Sequence, residues 1–158
     1  MPDLNPFLDV LQHSAVSEFI SKGNHLIGAG LQVLHILGFV LLLAAFVLIS
    51  LRLLGWALVE ASVERIARDA WRLSWLGLAL ALVSGILIFA ATPRLYVGNW
   101  AFQLKLAVFA VAVLYQFTWF RRVATRHSRR PLIVRFSVAA TLLLWFGVGF
   151  AGRMIGFI

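Results

Sequence analysis

The run LIGAGLQVLHILGFVLLLAAFVLISL, Leu26–Leu51, decides the fold of this chain. It contains no Lys, Arg, Asp or Glu. At about 1.5 Å per residue, a helix of this length crosses the roughly 30 Å of hydrocarbon in a bilayer. Three further apolar runs follow, at about 73–91, 100–120 and 132–152. Because lipid offers the backbone no hydrogen-bond partner, each run is predicted to be helical. The pattern predicts an all-α fold, a transmembrane four-helix bundle.

The composition excludes most other classes of protein. Of the 158 residues, 62% are hydrophobic and 13% are charged, and the mean hydropathy is +0.94, which is too apolar for a soluble domain of this size. The whole chain, 1–158, is therefore predicted to form one integral membrane domain. The absence of cysteine excludes disulfides, thiolate nucleophiles, iron–sulfur clusters and cysteine-based zinc sites. No basic residue precedes Lys22, so the N-terminus is not predicted to be a secretory signal peptide.

The positive charges are divided unequally between the two ends of the predicted bundle. The net charge is +8. Most of the basic residues lie in or beside the two connections on one side: Arg52, Arg65, Arg68, Arg72, Arg121, Arg122, Arg126, Arg129, Arg130 and Arg135. The positive-inside rule predicts that this side is cytoplasmic and that both termini are periplasmic, in a bacterial inner membrane. Between two spans, RRVATRHSRR (121–130) indicates a topology signal that contacts anionic lipid rather than a nucleic-acid patch.

The segment before the first span, NPFLDVLQHSAVSEFISKG, is predicted to form one amphipathic helix over about 6–22. Its apolar residues follow helical spacing, and Gly23 suits the exit from the helix. Such a helix lies on a membrane surface, here the periplasmic one. The alternative is a lid over the outer mouth of the bundle.

His35 lies deep in the first predicted span, at about 14 Å from its periplasmic end. His25, Gly28, Gln32 and His35 form a stripe along one side of the helix, which is predicted to face the other helices. The imidazole is a candidate axial ligand of haem iron, with Gln32 orienting it or a bound water. One alternative is a structural hydrogen bond to a neighbouring helix, and another is a proton relay. The candidate partners for that hydrogen bond are Gln32, Ser84, Tyr115 and Gln116.

Three cations are predicted on the periplasmic side of this histidine. Lys105 opens the third span, Arg153 ends the fourth, and Arg94 lies in the outer loop. Together with Asn99 they are candidates to bind the two propionates of haem b. The alternative for Lys105 and Arg153 is that each extends to the lipid headgroups.

The sequence supplies no second histidine at the depth of His35. His25 is about 15 Å away along the same helix, so it cannot share one iron with His35. A haem on His35 would be five-coordinate or would use an unusual sixth ligand such as Met154. The glycine-rich stretch GVGFAG, Gly147–Gly152, matches a dinucleotide fingerprint, but it lies in a span and not after a strand. It predicts close helix packing or room for a cofactor.

Three stretches carry a family resemblance: LHILGFVLLLAAFVLISLRLLG, YVGNWAFQLKL and WFGVGFAGRM. They resemble an uncharacterised family of four-span bacterial inner-membrane proteins. That family is distantly similar to the copper-resistance D membrane proteins and to the haem-binding membrane protoporphyrinogen oxidase. The resemblance implies that His35 is the first-helix histidine, linked to haem b, and that Lys105 is the lysine opening the third helix. Phe120 stands where the family often has a second histidine.

The leading functional hypothesis is a b-type haem membrane protein that passes electrons between the quinone pool and a periplasmic partner. The alternative is a cofactor-free accessory or assembly subunit of a membrane complex. The resemblance also suggests copper handling or porphyrinogen oxidation, but copper sites favour thiolates or clustered soft ligands, and Met1 and Met154 are isolated. The glycine-rich fourth helix offers a face for association with a second copy or another subunit.

Overall fold

The computed structural model describes residues 5–22, 25–125 and 130–157, and no strand occurs in these ranges. The helices follow in this order: α1 (Asn5–Gln12), α2 (Ala15–Lys22), α3 (His25–Leu54), α4 (Val63–Ala91), α5 (Pro93–Val97), α6 (Trp100–Tyr115), a π-helical turn (Gln116–Phe120), α7 (Arg121–Thr125), α8 (Pro131–Met154) and a 3₁₀ turn (Ile155–Phe157). The predicted all-α fold is confirmed. The predicted helix exit at Gly23, together with Arg126 and Arg129, lies outside the described residues.

Within the described ranges, four helical stretches are long and apolar enough to cross a membrane: His25–Leu54, Val63–Ala91, Trp100–Thr125 and Pro131–Phe157. Each includes one of the predicted apolar runs. The bundle end that carries α1, α2 and α5 is called the terminal end below, and the opposite end is called the arginine-rich end. Large apolar side chains such as Ile36, Leu143 and Phe150 are exposed on the outside of the helices. The chain is therefore a multi-pass membrane protein whose outer surface suits lipid.

The second long helix begins ten residues earlier than its apolar run predicts, at Val63 instead of about residue 73. Its first turns carry charged residues, so the hydropathy pattern does not detect them as part of the helix. Val63, Ala67 and Ala70 are nevertheless buried, at helical spacing along one face. The side chain of Ser62 caps the helix by accepting a hydrogen bond from the Arg65 backbone N–H.

The N-terminal segment forms two helices, so the prediction of a single helix over 6–22 is wrong. The chain breaks at Ser14, whose hydroxyl donates to the Leu11 carbonyl and accepts from the Ser17 backbone N–H. A serine side chain of this kind competes with the helical ladder and starts a new helix. Ser17 is buried and its hydroxyl donates to the carbonyl of Ala91 at 3.2 Å. The segment therefore docks on the end of α4.

A close backbone contact joins α3 and α4 at two glycines. A Cβ atom on Gly38 would lie 2.6 Å from the Ala81 backbone nitrogen, and one on Gly77 would lie 2.6 Å from the Gly38 carbonyl oxygen. Only hydrogen fits at these positions, so the two backbones touch. Gly147 and Gly149 of α8 pack against Val108 and Phe39. The packing role predicted for the GVGFAG glycines is thus confirmed.

Two apolar clusters form the core. The arginine-end core surrounds Phe120 and Ile49, and the central core surrounds Trp145, Phe46 and Leu42. Trp145 is fully buried and its ring packs against Phe39, Phe46 and Phe109. The aromatic rings therefore fill the middle of the bundle, and polar residues of α3 and α6 nearer the terminal end lie beyond them.

Candidate functional site

His35 of α3 and Lys105 of α6 meet in the half of the bundle nearest the terminal end. The Lys105 Nζ atom lies 3.2 Å from His35 Nε2. The other ring nitrogen, Nδ1, lies 2.8 Å from the Ala81 carbonyl oxygen and 3.3 Å from Ser84 Oγ, both on α4. One imidazole thus links three of the four long helices, and both of its nitrogens have a partner.

These hydrogen bonds fix the tautomer of His35. A carbonyl oxygen can only accept, so Nδ1 carries the proton and donates to Ala81. The Ser84 hydroxyl donates to the Leu80 carbonyl at 2.6 Å, which leaves its oxygen to accept a second, longer bond from Nδ1. Nε2 therefore holds a lone pair, to which Lys105 donates. A neutral imidazole with Nδ1–H donated to a carbonyl is the form in which histidine binds metals.

Glycines leave the space that this pair occupies. A Cβ atom on Gly85 would lie 3.0 Å from His35 Cε1, so the edge of the imidazole packs directly against the α4 backbone. A Cβ atom on Gly152 would lie 3.5 Å from Lys105 Nζ, so the lysine chain runs along α8. The α3–α4 contact at Gly38, one turn further along, holds the histidine close to Ala81.

Lys105 makes no ion pair in the described part of the chain. Its ammonium group meets a neutral imidazole, and none of the six Asp and Glu residues of the sequence lies in the apolar run that carries it. A cation in a region of low dielectric constant is costly without a counter-charge. Lys105 also bonds to His35 inside the bundle, which differs from the predicted alternative of extension to the headgroups. The pair therefore combines a Lewis base with a cation that an acidic ligand would neutralise.

The remaining predicted site residues have other partners. Arg94 forms a salt bridge with Asp9 of α1. The guanidinium of Arg153 lies over the Phe157 ring, 4.7 Å from its centroid. All of these residues are at the terminal end, but the structure brings only Lys105 to His35.

Asn99 and Gln32 also stand apart from the pair. Asn99 caps α6, since its Oδ1 accepts from the backbone N–H groups of Ala101 and Phe102, and its Nδ2 donates to the Ile155 carbonyl. Gln32 is exposed and makes no hydrogen bond in the described ranges. The predicted inward stripe on α3 therefore holds for His35 and fails for Gln32 and for His25, which is exposed as well.

No group of three or more His, Asp and Glu residues that could hold a metal ion occurs among residues 5–22, 25–125 and 130–157. His13 lies at the end of α1, where its Nδ1 bonds to the Asp9 carbonyl at 2.8 Å. Phe120, at the position where the resembling family often has histidine, is fully buried in the arginine-end core.

Comparison with known proteins places the chain in a family. Residues 11–158 match the sequence model of a family of unknown function, DUF6644. The chain belongs to this family. No curated protein and no solved structure matches it. In this DUF6644 protein the matched segment includes the four long helices, and with them both His35 and Lys105.

Sequence reasoning about this DUF6644 protein named Ser84 as a partner of His35 but missed the Ala81 carbonyl. The other three candidates lie elsewhere: Gln32 is exposed, Tyr115 donates to the Ser137 carbonyl at 3.4 Å, and Gln116 accepts from Trp145 at 3.2 Å. Backbone carbonyls carry no signal of residue type. The small residues at 77, 81 and 85 recur every four positions, and this spacing was the available sign that α3 lies against that face of α4.

Proposed function

We propose that the protein is a b-type haem protein of the bacterial inner membrane, which passes electrons between the quinone pool and a periplasmic redox partner. The observation that supports the proposal is the tautomer of His35, together with the hydrogen bonds that its two ring nitrogens make. Its Nδ1–H is donated to the Ala81 carbonyl, and its Nε2 lone pair accepts from the Lys105 ammonium group and not from a backbone group. This is the arrangement by which proteins orient an imidazole and raise its basicity as a ligand.

The orientation in the membrane follows from the arginine residues. The connections at the arginine-rich end would be cytoplasmic, because loops rich in Lys and Arg are retained on that side. His35 and Lys105 would then lie in the periplasmic half, within reach of a partner in the periplasm. Both termini would be periplasmic.

In this proposal the haem would have one protein ligand. His35 would hold the iron through Nε2, and Lys105, displaced from that nitrogen, would bind a propionate. Arg153 and Asn99, at the same end of the bundle, would require new side-chain positions to take part. The bound haem would supply one-electron transfer. The chain's own contribution would be to fix the tautomer through Ala81, to keep the ring against Gly85, and to exclude water with apolar walls.

An oxidised-minus-reduced visible spectrum of the detergent-purified protein tests this proposal. The wild type, expressed with haem supplementation, should show a b-type signal that His35→Ala abolishes. His25→Ala is the matched control, since it removes an exposed histidine from the same helix and should retain the signal. A colourless wild-type protein, or a signal that survives in His35→Ala, would refute the proposal.

A second candidate function has a specific observation in its favour. Both nitrogens of His35 already have protein partners on α4 and α6. In that case the histidine would be a structural link in a cofactor-free accessory or assembly subunit. The same spectrum separates the two functions, because a cofactor-free subunit would be colourless in the wild type and in His35→Ala alike.

A further inference from the structure

A second polar site lies away from His35, in the middle of the bundle. Four side-chain atoms there are buried without a hydrogen-bond partner within the described residues: Ser50 Oγ, Trp71 Nε1, Gln116 Nε2 and Thr141 Oγ1. They come from α3, α4, the π-helical turn and α8, so each long helical stretch contributes one. Gln116 and Thr141 have no exposed surface, and Ser50 is only 2% exposed.

These residues form a layer between the two apolar clusters. On α8, Thr141 lies between Val138 of the arginine-end core and Trp145 of the central core. Along the third span, Gln116 lies one turn from Phe120 of the arginine-end core and one turn from Ala112 of the central core. Side chains one turn apart share a face, so both residues point into the core between the clusters.

The layer also coincides with an irregular stretch of backbone. Gln116 begins the π-helical turn Gln116–Phe120, and turns of this kind are frequent at functional sites. The Gln116 amide oxygen accepts from Trp145 Nε1, which leaves both hydrogens of Nε2 free to donate. Trp71 Nε1 is likewise only a donor. These two N–H groups need acceptors, and the hydroxyl oxygens of Ser50 and Thr141 are the acceptors that the four unpartnered groups offer.

We propose that this polar layer is a binding site for ordered water within the bundle. A water oxygen accepts two hydrogen bonds and its hydrogens donate two, so it matches an amide N–H beside a hydroxyl. A fully buried donor left without a partner is costly, and buried water commonly removes that cost in proteins. The ring cluster around Trp145 separates this water from the His35–Lys105 pair, so the two sites are distinct.

The sign of a stability change tests the proposal. Thr141→Val keeps the side-chain shape and removes the hydroxyl. If water is bound, the variant removes one of the hydrogen-bond partners of that water, and Tm should fall by roughly 2–6 °C. If the layer is dry, the variant removes an unpaired hydroxyl, and Tm should rise. Thr118→Val is the matched control, because that hydroxyl is exposed and already donates to the Leu114 carbonyl. A Tm at or above that of the control would overturn the proposal.

Radiolytic hydroxyl-radical labelling of the wild-type protein provides a readout that does not depend on a variant. Radicals form from water in place, so a buried ring is oxidised only where water is adjacent. Trp145 has no exposed surface but touches the layer through Gln116, and it should be oxidised. The same protein kept without irradiation gives the background. Absence of oxidation at Trp145 above this background would overturn the proposal, whatever the variant shows.

Discussion

Replacing Gly77 by alanine should separate α3 from α4 and break the His35 site. The added Cβ would lie 2.6 Å from the Gly38 carbonyl oxygen and 2.7 Å from the Leu42 backbone nitrogen. Both atoms belong to the backbone of a helix, so neither can turn aside as a flexible side chain would. The helices themselves must move.

The size of the movement follows from these distances. Ordinary contact begins at 3.4 Å, so relief of the 2.6 Å contact requires a shift of 3.4 − 2.6, about 0.8 Å. Applied to the 2.8 Å bond between His35 Nδ1 and the Ala81 carbonyl, the same shift gives about 3.6 Å, too long for a hydrogen bond. Overpacking costs about 1–3 kcal/mol and the lost hydrogen bond about 1 kcal/mol. Together they predict a fall in Tm of roughly 4–16 °C.

Thermal unfolding in detergent, followed by tryptophan fluorescence, measures this effect. Gly28→Ala is the matched control: it lies on α3, nothing lies within 4 Å of its added Cβ, and its Tm should be unchanged or slightly higher. If Gly77→Ala unfolds at the same temperature as Gly28→Ala, the close backbone contact is not what holds α3 on α4. The position assigned to His35 would then lose its support.

Three further predictions concern the terminal end. Ser17→Ala should lower Tm by about 2–4 °C, because it removes a buried hydrogen bond worth about 1 kcal/mol. Proteolysis of α2 should become faster in this variant. An unchanged protease pattern would contradict the docking of α2 on α4. Asp9→Asn should lower the free energy of unfolding by less than about 1 kcal/mol, because the Arg94 and Asp9 side chains are 55% and 49% exposed. Any effect on Tm should vanish in high salt, which screens exposed charges. Burial raises the pKa of the Tyr96 phenol above its ordinary value of 10.0. Unfolding is therefore favoured increasingly as pH rises from 10.0 through that raised pKa, and Tyr96→Phe should remove this part of the loss, as unfolding curves at alkaline pH would measure.

The hydropathy of the sequence was enough to predict the four long helices, because in lipid an apolar run has no alternative to a helix. A local signal also placed one end, since proline suits the first turn of a helix and Pro131 begins α8. The same approach failed at the start of α4 and at Ser14. In α4 the buried face consists of small residues among charged ones, and at Ser14 a side-chain hydrogen bond interrupts an otherwise continuous helical pattern.

The sequence by itself determined that His35 is a polar residue inside an apolar helical run. It also determined that cationic side chains lie towards the same end of the bundle as His35. Only the tertiary structure decided that Lys105 reaches His35 while Arg94 pairs with Asp9 and Arg153 with the Phe157 ring. Hydropathy depends on residue type, whereas partner choice depends on how closely two helices approach. That distance is set by glycines on α3, α4 and α8, whose missing side chains admit the imidazole and the lysine chain.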